Sequence, residues 1–201
     1  METGSDNAEL VNMQFDCDLQ RQIDGTLPVG YVYKLGCPGP VLLAAGLDDL
    51  PMELESGTLN TKSDARYRRP HPFDLSELKG LPIAINTPIA VFRSTRQDSA
   101  MVILTELKHG NDNFVAVIKV RMGKGRINIG VNNITSVYPK NRVDEILRWF
   151  KSGDRLITWV DKEKALQYVS TQSPQYIVGG DPEGFIKSVK EVIQNFLNPI
   201  F

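Results

Sequence analysis

Two histidines occur in this 201-residue chain, and one of them, His71, sits between Pro70 and Pro72. Arg66, Arg68 and Arg69 stand just before it, and a helix start, Asp74-Leu-Ser-Glu77, stands just after. Proline stiffens the backbone on both sides, and imidazole is the side chain whose ordinary pKa lies nearest neutrality. The segment therefore offers a proton donor or acceptor on rigid backbone beside fixed positive charge. The arginines would lower the imidazole pKa and favour its neutral, base form. Their planar forks, and that of Arg93 further along, suit phosphate oxygens. The plainer reading is a solvated, proline-rich connection, and loops with scattered charge are common. Arg93 likewise fits simple pairing with a carboxylate such as Glu106.

A second basic stretch, Lys119-x-Arg121-x-x-Lys124-x-Arg126, holds four positive charges and no acid. It reads either as a patch for a nucleic-acid backbone or as protection of a strand edge against aggregation. The net charge of the whole chain is −1, so any anion site must come from such local clustering. Hydrophobic residues make up 41% of the chain, enough for a core in one domain of this length. Cys17 and Cys37 lack metal-ligand spacing, so no zinc site is expected and a single disulfide stays open. No metal or other cofactor is implied. No apolar run approaches the roughly 20 residues of a membrane span, and no secretory leader pattern opens the chain. The expectation is a soluble, cytoplasmic protein with no membrane partner.

The elements that must position these residues can be read in order. Residues 1–28 are polar and weakly patterned. They read as a flexible arm with at most a short helical turn, and Met-Glu-Thr-Gly-Ser resembles a vector scar. Gly30–Gly36 is a short strand, Val41–Ala45 a short helix stopped by Gly46, and Pro51–Leu54 a further short strand. Ser56 and Thr58 offer N-caps for a helical turn reaching Lys62. Asp74 and Glu77 form a capping-box pair for a helix over Leu75–Lys79 that ends at Gly80. From Ile89 the pattern becomes a meander: strands over 89–94, 101–107, 114–121 and 127–138, joined by hairpin-type turns. His109 falls in one of those turns and is expected on the surface. Asn141 caps a helix over 142–151, a fifth strand follows at 155–160, and Asp161 caps a helix through Tyr168. A polar loop and a docked amphipathic helix occupy 171–201. The fold class is α+β: an antiparallel sheet of about four to five meander strands flanked by helices.

Several blocks carry a resemblance. His71-Pro-Phe-Asp-Leu-Ser-Glu-Leu-Lys-Gly-Leu-Pro82, Asn86-Thr-Pro-Ile-Ala-Val-Phe-Arg-Ser94, Val102-Ile-Leu-Thr-Glu-Leu107, Asn132-Asn-Ile-Thr-Ser-Val-Tyr-Pro-Lys140 and Val160-Asp-Lys-Glu-Lys-Ala165 resemble the phage MuF C-terminal domain family. That family occurs in polyvalent proteins of phages and conjugative elements, notably of Bacteroides-type gut bacteria. The resemblance covers about residues 30–170 and implies a nuclease-like domain over 29–170. It is similar in turn to the barnase–EndoU–colicin–RelE group of small metal-independent ribonucleases. What this implies is a barnase/EndoU/RelE-like fold, RNA as partner (tRNA among the candidates) and an immunity protein. By the same resemblance His71 takes the place of the histidine before the short helix. Ser136 and Tyr138 resemble the strand-end serine and tyrosine of the EndoU branch, and Lys62 a basic position upstream. A second catalytic histidine is missing from that pattern.

Metal-free RNA cleavage needs a base for the ribose 2′-OH, an acid for the leaving 5′-oxygen, cations for the phosphorane, and in-line positioning. His71 and Tyr138 are the proton carriers, Ser136 a positioning group, and Lys62 a cation. Arg66, Arg68, Arg69, Arg93, Lys119 and Arg121 are the phosphate contacts. Two other readings remain. One is a non-catalytic interaction domain of a phage head or transfer-associated protein. The other is an ADP-ribosyltransferase effector, for which Arg93-Ser-Thr95 and Glu53-Leu-Glu55 stand in the wrong order.

Overall fold

The structure is a computed structural model and describes residues 4–63, 72–97, 99–119, 130–171 and 181–199. Among the described residues seven strands form one sheet: β1 (Val32–Lys34), β2 (Met52–Glu55), β3 (Ala90–Arg93), β4 (Ala100–His109), β5 (Asp112–Lys119), β6 (Asn132–Pro139) and β7 (Ile157–Val160). Their spatial order is β1-β2-β6-β5-β4-β3-β7. The expected meander is the run β3 to β6, and β7 joins it antiparallel to β3. The sheet is larger than the four to five strands expected, and it is mixed. The two short N-terminal strands extend it on the β6 side, where β2 pairs with β6 in parallel.

Alternation along the strands divides the apolar residues between two faces. Phe114, Ala116 and Ile118 of β5, with Ile103 of β4, enter one core. Val115 of β5, with Val102 and Leu104 of β4, enters the other. The period of two in a strand makes this division. The first face is covered by α1 (Gly4–Ile23), α2 (Pro40–Ala44), α3 (Ser56–Ser63), a 3₁₀ turn (Leu75–Leu78) and α4 (Leu81–Asn86). The second is covered by α5 (Val143–Lys151), α6 (Lys162–Thr171) and α7 (Pro182–Asn195). Both faces of the sheet are thus packed, which explains the near-continuous apolar runs of β4 and β5.

Two elements correct the sequence reading. Residues 4–23 are not an arm but the 20-residue helix α1. Phe15 and Leu19 on it are 1% and 0% exposed, and the Phe15 ring lies 5.0 Å from that of Tyr33. Asp18, also buried, accepts hydrogen bonds from Tyr31 Oη at 2.5 Å, Gln14 Nε2 at 2.9 Å and Arg21 Nη1 at 3.0 Å. Asp16 Oδ1 on the same helix accepts from the Gly80 amide at 2.9 Å. Polar side chains satisfied inside the fold made this helix look unanchored in one dimension. The second correction is α4. Gly80, at φ 83, turns the chain between the 3₁₀ turn and this helix, and Pro82 is accommodated in its first turn. The Asp74–Glu77 capping box is present as expected, over a 3₁₀ rather than an α turn.

Candidate functional site

The site begins with an irregularity in β6. Ser136 faces Val117 and Ile134 faces Ile118, so Thr135 is an extra residue in the strand. A β-bulge of this kind re-aims side chains. Thr135 and Ser136, though consecutive, both line one cleft. Tyr138, two residues beyond Ser136, lines it as well and stands opposite Val115 on the second face of the sheet.

The cleft has a volume of about 530 Å³ and lies over β4, β5 and β6. One wall is the β3–β4 turn, with Arg93, Ser94 and Arg96. The other is the start of α5, with Lys140, Arg142, Glu145 and Trp149. Val102 and Val117 form an apolar floor, and Lys119 closes one end. Among the described residues, five cations, Arg93, Arg96, Lys119, Lys140 and Arg142, thus share a cleft with one carboxylate, Glu145. In a chain of net charge −1 this is a strong local excess of positive charge.

The cations are not equivalent. Lys140 is only 8% exposed. Its Nζ donates to Glu145 Oε2 at 2.7 Å and sits 5.1 Å from the centre of the Trp149 ring. Arg142 donates to Asp144 at 3.1 Å and approaches Glu145 at 3.9 Å. Arg96 approaches the other Glu145 oxygen at 4.0 Å. Arg93 and Lys119 line the cleft with no ion pair to a described residue. Glu106, suggested from sequence as a partner for Arg93, pairs with Lys164 at 2.5 Å instead. Burial opposes ionisation of Asp144, but the hydrogen bond and charge of Arg142, followed by the charge of Arg148, hold its carboxyl below its ordinary pKa. Burial, with the nearby Glu145 charge, pushes the Tyr138 phenol above its ordinary value, against a smaller opposing effect of Arg96. Tyr138 therefore stays protonated through neutral pH and is a proton donor rather than a base. The Ser136 Oγ is buried and makes no hydrogen bond to a described residue. Such a group carries a desolvation cost that a ligand oxygen would relieve.

Of the residues expected from sequence, Ser136, Tyr138, Arg93 and Lys119 meet in this cleft. His71, Arg66, Arg68, Arg69 and Arg121 lie outside the described residues, as does the side chain of Lys62, whose backbone belongs to α3. Phe73 packs in the core on the opposite face of the sheet, its ring 5.0 Å from that of Phe114. His109 ends β4, and its Nδ1 lies 2.8 Å from Glu77 Oε2, tying the β4–β5 hairpin to the 3₁₀ turn. Sequence reasoning missed Arg96, Lys140, Arg142, Glu145 and Trp149. The signal was there: Tyr-Pro-Lys-Asn-Arg runs from the end of β6 straight into α5. Asn141, expected as the cap of α5, does not cap it; Arg142 takes that position, without a side-chain hydrogen bond to the helix. Among the described residues no group of three or more His, Cys, Asp or Glu side chains is placed to hold a metal ion. No described helix is long and apolar enough to cross a membrane.

The fold and site together define a helix–sheet–helix domain with a basic cleft across its central strands. The chain belongs to the phage MuF C-terminal domain family, whose pattern it matches over residues 62–167, just over half its length. Every described cleft residue falls inside that region, whereas α1, β1, α2, β2 and α7 lie outside it. No curated protein and no solved structure matches the chain.

Proposed function

We propose that this chain is a ribonuclease-like effector domain of phage or mobile-element origin, acting in a bacterial cytoplasm and cleaving RNA by 2′-OH attack. The observation that carries the reading is the cleft itself, in which five described cations surround a serine, a protonated tyrosine and one carboxylate. Arg93, Arg96, Lys119 and Arg142 bind the phosphates of a single strand. Glu145 takes the proton from the 2′-oxygen, which then attacks phosphorus. Tyr138 gives its proton to the 5′-oxygen as the P–O5′ bond breaks. The products are a 2′,3′-cyclic phosphate and a free 5′-hydroxyl. Ser136 turns its buried hydroxyl towards the cleft to donate to a non-bridging phosphate oxygen, and the cations offset the charge on the phosphorane.

One observation favours the second reading, a non-catalytic interaction domain: no described residue of the cleft lining is a histidine, and its carboxylate is engaged in ion pairs. The two readings part in one experiment. Wild type, His71→Ala, Tyr138→Phe and Glu145→Gln are incubated with labelled total RNA and tRNA in EDTA. Cleavage by wild type leaving cyclic phosphate ends is expected, with Tyr138→Phe and Glu145→Gln slowed about 10²- to 10⁴-fold each. Intact RNA after prolonged incubation with folded wild type would sink the nuclease reading and leave the interaction domain.

A further inference from the structure

Among the described residues, three cations reach Glu145 from three separate elements. Arg96 comes from the β3–β4 turn, Lys140 from the end of β6, and Arg142 from the N-cap of α5. Both carboxylate oxygens are used: Oε2 by Lys140 and Arg142, Oε1 by Arg96. An acid in the first turn of a helix needs no special explanation, because the helix dipole favours it. Asp144 already serves that purpose and holds Arg142 and Arg148. What sets Glu145 apart is its place inside a cleft, facing Arg96 and Lys140, which its own helix does not supply.

The three contacts also differ in kind. Lys140 is hydrogen-bonded at 2.7 Å, almost buried, and braced over Trp149. The two arginines stand 3.9 and 4.0 Å away, close enough for charge attraction but too far for a hydrogen bond. Their side chains are 58% and 76% exposed and can turn towards a ligand without unpacking the core. A phosphate presents the same charge to an arginine fork and accepts shorter, bidentate hydrogen bonds.

We infer that Glu145 is a resident counter-anion marking the innermost phosphate site of the cleft, and that an incoming nucleic-acid phosphate takes Arg96 and Arg142 from it while Lys140 stays. This rests on the cleft being a nucleic-acid site, as proposed above. The exchange has one consequence: Glu145 weakens binding, because the phosphate must compete with it.

The test separates binding from cleavage by using a labelled single-stranded oligonucleotide with 2′-deoxyribose throughout, which 2′-OH attack cannot cleave. Its Kd is measured by fluorescence anisotropy for wild type, Glu145→Gln and Arg142→Gln. Glutamine keeps an acceptor for Lys140, so the fold should survive, and a thermal melt checks this. Glu145→Gln is expected to bind about three- to tenfold more tightly, from the strength typical of partly exposed ion pairs. Arg142→Gln should bind more weakly. If Glu145→Gln does not fold, Glu145→Asp replaces it. Its carboxylate is one methylene shorter and retreats from both arginines, so tighter binding is expected again. Unchanged or weaker binding by a folded Glu145 variant overturns the inference. Tighter binding by Glu145→Gln with no RNA cleavage by wild type refutes the nuclease reading alone. Cleavage by wild type with no tightening refutes the counter-anion alone, and no binding of either nucleic acid refutes both.

Discussion

If the cleft binds a phosphodiester strand, its salt dependence follows from the residues that line it. Five described cations face it, and each that neutralises one phosphate of a single strand contributes about −0.7 to the slope of log Kobs against log salt. Lys140 stays with Glu145, so engagement of the other four gives a slope of about −2.8, and raising salt from about 50 to about 200 mM should weaken binding roughly 50-fold. Arg93 and Lys119 make the cleanest perturbations, since neither is held in an ion pair with a described residue. Arg93→Gln and Lys119→Gln should each make the slope shallower by about 0.7. Neither should change stability by more than about 0.5 kcal/mol, as is usual for substitutions away from the core. Lys108→Gln is the control, because Lys108 is exposed near the other end of β4 and does not line the cleft. The assay is anisotropy of a labelled RNA at five or so salt concentrations, with EDTA present. A wild-type slope shallower than about −1 would refute the reasoning. So would a Lys108→Gln slope as altered as that of Lys119→Gln, since attraction would then be spread over the surface and not gathered in the cleft.

Further expectations concern the fold and the site. Phe15→Ala should cost about 3–5 kcal/mol, because it empties a fully packed position under α1; a urea melt showing under about 1 kcal/mol would mean that α1 is only loosely docked. Ser136→Ala should leave stability unchanged or slightly raised, since it removes a buried hydroxyl with no described partner, yet it should reduce RNA cleavage; a large loss of stability would reveal a structural role instead. Asp18 is held below its ordinary pKa: burial opposes this, but hydrogen bonds from Gln14, Tyr31 and Arg21 outweigh it. Its stabilisation is therefore present above the unfolded value of 3.8 and lost as pH falls through the lower folded value. Asp18→Asn should flatten the acid side of the stability curve, and equal slopes for both proteins in urea melts between about pH 5 and pH 2 would contradict it.

Parts of this protein were legible residue by residue. The meander of β3 to β6 announced itself through apolar runs separated by turn residues, and Asp74 with Glu77 spelled out a cap. Arg93, Lys119, Ser136 and Tyr138 were picked by residue type and resemblance, and all four line the same cleft. Helix α1 was not legible. Its buried carboxylate is satisfied by Tyr31, just before β1, and by Gln14 and Arg21 of the helix itself, and its apolar residues are too few to form a clear stripe. The cap of α5 was misplaced by one residue, a distance that local propensity cannot resolve.

What the sequence determined by itself was local: alternation that builds strands, glycines and prolines that end elements, and side-chain types suited to phosphate. What only the tertiary structure decided was convergence. Arg96 and Glu145 are 49 positions apart, and they meet because β3, β4, β5 and β6 pair in order and bring the β3–β4 turn beside the start of α5. The extra residue in β6 then aims Thr135 and Ser136 into the same space. A strand's period of two would have sent one of them to the opposite face. Register and bulge are set by packing on both faces of the sheet, a balance over many distant contacts that no short stretch of chain contains.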